Sequence, residues 1–267
     1  MDASPYLDPA VAATFGRVAV PAQFAQPARD LAALLAIPRG SIVLDVGTGT
    51  GAFARPASEA AGPSGIVVGL DPSIAMLRAA EKREPSRLIV GRTPGLPFAN
   101  STFHTVGASF VLHHCRSYVA ALADMSRVCR PAGRVGLTEW GPMSNLPAQV
   151  WRDIVASHVD IERLQSAFRD LVPWEQWFES PDNVERALAD AGLTAIEVTR
   201  REYTVALTPA DYVTLKEGGV EGTLIRQMLT DAGWSDFRRQ ANDVFQRRFK
   251  NDLVFVRDVH LAVGTKP

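Results

Sequence analysis

The sequence is short of cysteine, of net charge and of long apolar runs. Cys115 and Cys129 are the two cysteines in 267 residues, and they form no spaced set for a disulfide framework or a metal site. A reducing, cytoplasmic setting follows, with both thiols packed as small apolar groups. A net charge of −1 gives no general attraction to nucleic acid or an anionic bilayer. The most apolar early stretch, Leu31–Ile37, stops at Pro38, well short of the roughly 20 residues a membrane helix needs. Met1–Ala10 carries Asp2 and Asp8 but no basic cluster ahead of an apolar run, so it does not read as a signal peptide. Internal repeats and low-complexity tracts are also missing. These absences leave neither nucleic acid nor membrane as an expected partner, and no metal.

What is present is an ordinary globular composition, 46% hydrophobic and 21% charged, in a length that suits one elaborated α/β domain. Apolar residues at helical spacing run from Gln23 to Ile37, and Pro38-Arg39-Gly40 stops them. Strands are expected at Ser41–Val46, Ile66–Leu70, Arg87–Val90, Thr105–Phe110 and Arg134–Glu139. Helices lie between them, one with a kink at Pro56, one opened by Asp71-Pro72-Ser73 and one over Ser117–Cys129. Such alternation argues for a parallel sheet covered on both faces. The later half changes character. Residues 142–178 and 208–250 read as helical insertions, separated by a helix opening at Ser180-Pro181-Asp182 and a strand over Ile196–Ala206. Leu253–Val263 closes the chain as a strand. The expected architecture is therefore a single domain, with a core over about 23–141, two helical caps and a closing strand over about 253–263.

The strongest local feature is Val43-Leu-Asp-Val-Gly-Thr-Gly-Thr-Gly51, set between a strand and a helix. Three alternate glycines allow close backbone approach and positive φ, and the helix behind them offers free N–H groups to an anionic moiety. Asp71 follows Gly51 by 20 residues, at the end of the next strand, where a carboxylate can accept both hydroxyls of a ribose. These features together indicate a nucleoside-bearing cofactor. Gly47-Thr-Gly49-Thr-Gly-Ala52 also satisfies the loose dinucleotide fingerprint, which keeps an NAD-dependent oxidoreductase open. Asp45 weighs the other way: an acid two residues before the first glycine would crowd a pyrophosphate, whereas it suits an α-ammonium and a sulfonium.

The run resembles the first motif of class I S-adenosylmethionine-dependent methyltransferases, and the resemblance continues in order. Val68-Gly-Leu-Asp-Pro-Ser73 resembles the ribose-binding motif, Gly91-Arg-Thr-Pro-Gly-Leu-Pro-Phe98 the adenine-edging loop, and Ala108-Ser-Phe-Val-Leu-His-His114 the fourth-strand motif. Arg127-Val-Cys-Arg-Pro-Ala-Gly-Arg134 is similar to the turn before strand five. The resemblance covers roughly residues 40–140 and is nearest to the branch that methylates small metabolites and quinone precursors. It implies a Rossmann-like, seven-stranded, mostly parallel sheet with helical cap insertions, and S-adenosylmethionine as cofactor. It implies that Asp45, Gly47 and Gly49, with Thr48 in the same loop, line the methionine end. Asp71 then holds the ribose, Pro72 lies against the adenine, and Ser109 and Phe110 sit beside the sulfonium. The adenine loop departs from the family at Arg92, where an acid usually accepts from the purine amino group. Arginine has no acceptor, so Thr93 or a backbone carbonyl takes that role, or packing alone holds the base.

The implied function is methyl transfer to a small, apolar or aromatic acceptor; a different reaction on the same fold is the alternative. His113 and His114, near the end of strand four, are candidate bases for an acceptor that must lose a proton, the plainer reading being that they fill and tie the loop. Glu139, ending strand five, is a weaker candidate. His104, His158 and His260 show no partner pattern and read as structural or exposed. Trp151, Trp174, Trp177, Phe178, Tyr212 and Trp234 are read as cap core or pocket lining. Arg238, Arg239, Arg247, Arg248 and Lys250, opposite an apolar face, form a solvated amphipathic helix, with a homodimer contact or an anionic-substrate site as the other readings.

Overall fold

The computed structural model describes residues 5–82, 87–250 and 253–267, so Met1 and Asp2 lie outside the described residues. Seven strands form one sheet: β1 (Ile42–Val46), β2 (Ile66–Asp71), β3 (Arg87–Val90), β4 (Phe103–Ser109), β5 (Cys129–Trp140), β6 (Thr194–Leu207) and β7 (Leu253–Thr265). Their spatial order is β3-β2-β1-β4-β5-β7-β6. The first five pair in parallel and β7 runs antiparallel to both neighbours. The order reverses between β1 and β4, which leaves a crevice beyond their carboxyl ends, where ligands bind in open α/β sheets.

Alternation along β1 shows why the sheet is covered twice. Leu44 and Val46 face one core with Leu122 and Met125 of α5 (Tyr118–Val128). Val43 faces the other, with Leu31 and Leu35 around α2 (Ala25–Leu34) and Ala57 of α3 (Ala54–Ala61). Pro56 is the third residue of α3, inside the first turn. The N–H it lacks has no intrahelical acceptor there, so the helix begins around it and the expected kink has no cause. Hydroxyls start the next elements: Ser73 accepts from the Met76 N–H at 3.1 Å to cap α4 (Ile74–Glu81), and Ser117 from the Ala120 N–H at 3.2 Å to cap α5. Ser180 stands at the corresponding place before α9 (Pro181–Asp190), but its side chain makes no capping bond. Asn183 Nδ2 closes that turn instead, donating to the Trp177 carbonyl at 2.8 Å.

Two regions extend the sequence reading. The helical segment ending at Leu34 begins as α1 (Pro9–Thr14) and continues through a π-helical stretch, Phe15–Phe24. Pro21 sits inside that stretch, which is why the pattern looked broken before Gln23. The two insertions pack on one another. Helices α6 (Leu146–Ala156), α7 (Ile161–Leu171), α10 (Pro209–Glu217), α11 (Val220–Met228) and α12 (Asp231–Phe249) share a core that includes Trp151, Tyr212, Phe237 and Phe245. Trp174, Trp177 and Phe178, around α8 (Glu175–Phe178), leave this cap and pack on Tyr118 in the sheet core.

Candidate active site

A cavity of about 1380 Å³ opens at the carboxyl ends of β1, β2 and β4 and continues beneath α7 and α10 of the cap. That exceeds the roughly 300–1,000 Å³ of a single small-ligand pocket. Asp45, Gly47, Thr48, Gly49, Asp71, Pro72, Arg92, Thr93, Ser109, Phe110, His113 and His114 all border it, whereas Glu139, the weaker candidate, does not.

One half of the cavity is made largely by backbone. Gly47, Gly49 and Gly51 all adopt positive φ, as the glycine spacing requires. At Gly47 the approach is also close, since a Cβ would lie 2.5 Å from Val111 Cγ2. Thr48 Oγ1 donates to Asp45 Oδ2 at 2.7 Å, while Asp45 Oδ1 is buried with no partner. Burial, and then the nearby Asp71 charge, push the Asp45 carboxyl up to about 7 against the pulls of the Thr48 hydroxyl and, more weakly, the Ala54 N–H. An unpartnered carboxylate oxygen at a ligand cavity is what an α-ammonium would satisfy, and the residues present fit the methionine end of S-adenosylmethionine. Asp71 accepts from the Gly49 N–H at 2.9 Å and the Ser73 N–H at 2.8 Å. Burial raises its pKa against these bonds. Both oxygens retain further acceptor capacity for a ribose. Ser73 Oγ donates to the Tyr6 carbonyl at 2.5 Å, tying the N-terminal segment over this half.

The loop over residues 91–98 is braced from α5. Asp124 Oδ2 accepts from the Gly95 and Leu96 N–H groups at 2.6 and 2.7 Å, and Arg127 donates to the Leu96 and Phe98 carbonyls. Thr93 Oγ1 donates to the Ala121 carbonyl at 3.3 Å, which leaves its lone pairs as acceptors, whereas the exposed Arg92 offers donors only.

The two histidines separate in structure. His113 Nδ1 is hydrogen-bonded to Glu139 Oε2, and Glu139 Oε1 accepts from the Leu112 N–H at 3.0 Å. Burial works against a charged ring at His113, but the Glu139 carboxylate outweighs it and raises the pKa. With Nδ1 engaged, Nε2 remains for the cavity. His114 is half-buried with its ring 4.2 Å from that of His113. Burial and the neighbouring ring hold it well below the usual histidine range. Glu139 is fully buried and does not border the cavity, so its link to the cavity is the hydrogen bond to His113.

The other half of the cavity is made of side chains from distant parts of the chain. Phe110, in the strained positive-φ region, stacks on Trp140 at 3.9 Å between centroids, and Ser109 Oγ meets Thr138 Oγ1 at 3.0 Å. Tyr212, Lys216, Glu221 and Arg257 border it from the cap and β7. Lys216 Nζ and Trp151 Nε1 both donate to Glu221 Oε2, at 2.6 and 3.0 Å. Trp151, Trp174, Trp177 and Trp234 are core rather than lining. The basic helix turns away as well: Phe237, Ala241 and Phe245 are buried in the cap core, and Arg238 pairs with Glu217. His104 accepts from the Ile42 N–H at 3.0 Å, and His260 meets the Glu179 carbonyl, both structural as read.

Sequence reasoning missed Tyr6, Phe15 and Val18, which border the cavity from the N-terminal helical segment. The signal was Asp8-Pro9, a capping acid before a proline at the first helical position. It also passed over Arg257, whose signal was a charged Arg257-Asp258 pair inside an otherwise apolar closing strand.

Residues 43–133 match the methyltransferase domain family. The demethylmenaquinone methyltransferase of Renibacterium salmoninarum is 32% identical over 194 residues, which span 70% of this chain and 78% of that protein. Its counterpart in Geobacillus sp. strain WCH70 is 30% identical over 189 residues, spanning 64% and 78%. That of Bacillus licheniformis is 39% identical over 106 residues, and the match spans 46% of its length. Among solved structures, the BH2331 protein of Bacillus halodurans superposes with a TM-score of 0.54 at 17% identity, covering 90% of this chain and 98% of its own. The YcgJ protein of Bacillus subtilis gives 0.51 at 18% identity, covering 90% and 97%, and both likenesses concern the fold. With the glycine loop, the unpartnered Asp45 oxygen and Asp71 assembled at one cavity, these relatives decide between the two cofactor readings: the chain belongs to the class I S-adenosylmethionine-dependent methyltransferase family.

Proposed function

We propose that the chain transfers a methyl group from S-adenosylmethionine to a small apolar or aromatic acceptor held between the sheet and the helical cap. The observation that carries this is a single cavity with two unlike halves, too large for one small ligand and continuous past Phe110 and His113. When bound, S-adenosylmethionine supplies a methyl group already attached to a positively charged leaving group. Asp45, Gly47, Thr48 and Gly49 take the methionine end, Asp71 the ribose, and Pro72, Arg92 and Thr93 the adenine. Ser109 and Phe110 border the reacting atoms. The chain's task is then to hold the acceptor in line and exclude water, and such placement supplies most of the rate in a displacement of this kind. For an acceptor that must lose a proton, His113 Nε2 receives it, and Glu139 holds the ring and stabilises the imidazolium. His114 packs and orients.

The names of the relatives support an acceptor of quinone or hydroquinone type, since each is called a demethylmenaquinone methyltransferase. A cytoplasmic setting belongs to the same proposal; among the described residues no helix is long and apolar enough to cross a membrane, and both cysteines are free. The test is calorimetry with S-adenosylhomocysteine followed by turnover of methyl-labelled cofactor against a panel of hydroquinones and phenols. One site per chain and label in at least one acceptor are expected. Absence of adenosyl binding, or binding without transfer to any acceptor, would overturn the proposal.

A further inference from the structure

Arg257 lies in β7, and its side chain is 9% exposed and borders the acceptor half of the cavity. Buried arginines normally sit against a carboxylate, because the desolvation cost of an unpaired charge is large. Among the described residues none lies within 4.0 Å of this guanidinium. Asp258, the neighbouring acid, is held by Arg200 on the far side of the strand pair, and Glu221 is taken by Lys216. Among the described residues the guanidinium's hydrogen bond runs from Nη1 to the thioether of Met143, a weak acceptor, while Nε is buried with no partner. The guanidinium lies over the Trp140 ring at 3.9 Å, and Trp140 in turn stacks on Phe110. Burial pushes its pKa down to about 10, with Glu175 the first of the acids that oppose the fall, so it stays charged at neutral pH.

We infer that Arg257 recognises a carboxylate carried by the acceptor, at the end of that molecule remote from the methylated atom. The inference rests on the proposed methyl transfer and adds the acceptor's charge. The layered order Phe110, Trp140, Arg257 puts the cation one ring further out than the residue bordering the reacting atoms. His113 and Arg257 border the same cavity, so one acceptor can meet both. The guanidinium has no acid at ion-pair distance among the described residues, and Glu175 and Glu179 act on it from further away, so direct contact with it is left for one anionic group of the ligand. Trp140 keeps one face of the guanidinium dry and its plane fixed, which favours a planar carboxylate.

The test uses three matched probes on the full chain: 2-naphthoate, 2-naphthylmethanol and 2-naphthyl phosphate, titrated with and without saturating S-adenosylhomocysteine. Wild type is expected to bind the carboxylate at least tenfold more tightly than either other probe. Arg257→Met should remove that preference and leave the alcohol within about twofold, and Arg257→Lys should keep part of it. Equal binding of carboxylate and alcohol by wild type, a preference that survives in Arg257→Met, or a phosphate that binds most tightly would each overturn the inference. So would a carboxylate that does not bind at all. The wild-type ratios stand even where Arg257→Met fails to fold, and Arg257→Lys then carries the comparison. Loss of S-adenosylhomocysteine binding alone would count against the cofactor half, since the probe ratios are read without it as well.

Discussion

The two halves of the cavity are built on different principles. In the cofactor half, contiguous segments at the ends of β1 and β2 do the work, and the groups bordering it are glycine backbone and two carboxylates held by local hydrogen bonds, with Asp45 Oδ1 left without a partner. In the acceptor half, residues meet from across the chain. Arg257 reaches Met143 over 114 positions and His113 reaches Glu139 over 26. A backbone-made half is tied to one ligand because its shape depends on turns that few sequences support. A side-chain half can change its ligand by exchanging single residues, while the core beneath it stays as it is. The contrast teaches that, on the proposed function, cofactor and acceptor have separate structural addresses in this molecule.

The largest expected effect breaks the symmetry of the histidine pair. His113→Gln should slow single-turnover methyl transfer about 100-fold, or roughly 2.7 kcal/mol, for an acceptor that loses a proton, while His114→Gln costs less than about tenfold. A base must be neutral, and the His113 pKa is raised by Glu139, so the rate should fall with decreasing pH along a limb lying above the ordinary value of about 6.5. Glu139→Gln removes that charge but keeps an acceptor for the Leu112 N–H, and the limb should move to lower pH. Equal losses in the two histidine variants, or a limb indifferent to Glu139, would return both rings to a packing role.

Next in size is the ribose acceptor. Asp71→Ala should weaken S-adenosylhomocysteine by roughly 1.5–3 kcal/mol, about 10- to 100-fold, as it removes a charged partner from the ligand and from the Gly49 N–H. Unchanged affinity by calorimetry would detach Asp71 from the cofactor. Asp45 sharpens the same half through pH. Its carboxyl sits at about 7 in the free protein, and an ammonium beside Oδ1 favours the ionised form. Affinity for S-adenosylhomocysteine should therefore rise about tenfold from pH 6 to pH 8, with proton release on binding below pH 7. Asp45→Asn should flatten that profile.

The smallest effect separates lining from core in the other half. Tyr212 borders the cavity and stacks on Phe245 at 4.9 Å, so Tyr212→Leu should weaken acceptor binding by about two- to tenfold with adenosyl affinity unchanged. Trp177 packs on Tyr118 away from the cavity, so Trp177→Leu should lower Tm while leaving both affinities alone. An acceptor-specific loss in the Trp177 variant would move the boundary between the halves.

Legibility follows the same division. The glycine loop, Asp71 and the loop at Arg92–Thr93 were readable because each is a strand-to-helix or loop segment whose chemistry depends on neighbours in sequence. The helix starts at Ser73 and Ser117 were readable for the same reason, whereas the capping hydroxyl expected at Ser180 makes no capping bond. The N-terminal helix was not, since Pro21 interrupts the pattern and a π-helical turn absorbs it only once the segment is packed over the site. Nor was the division of the six aromatics, because helical spacing marks a residue as buried without saying which of two cores receives it.

By itself, then, the amino-acid order determined the strands of the sheet, the helices between them and the glycine loop, since hydrophobic period and turn residues are local quantities. Only the tertiary structure decided which histidine acquires a carboxylate, that the N-terminal segment folds over the site through the Ser73–Tyr6 bond, and that Arg257 stands on Trp140 without an acid beside it. Those outcomes depend on strand register. β7 pairs Val259 with Trp140 and His260 with Glu139, and that register fixes which side chains of the closing strand meet the end of β5. A shift of one residue would exchange the faces of the whole strand and carry Arg257 away from the cavity.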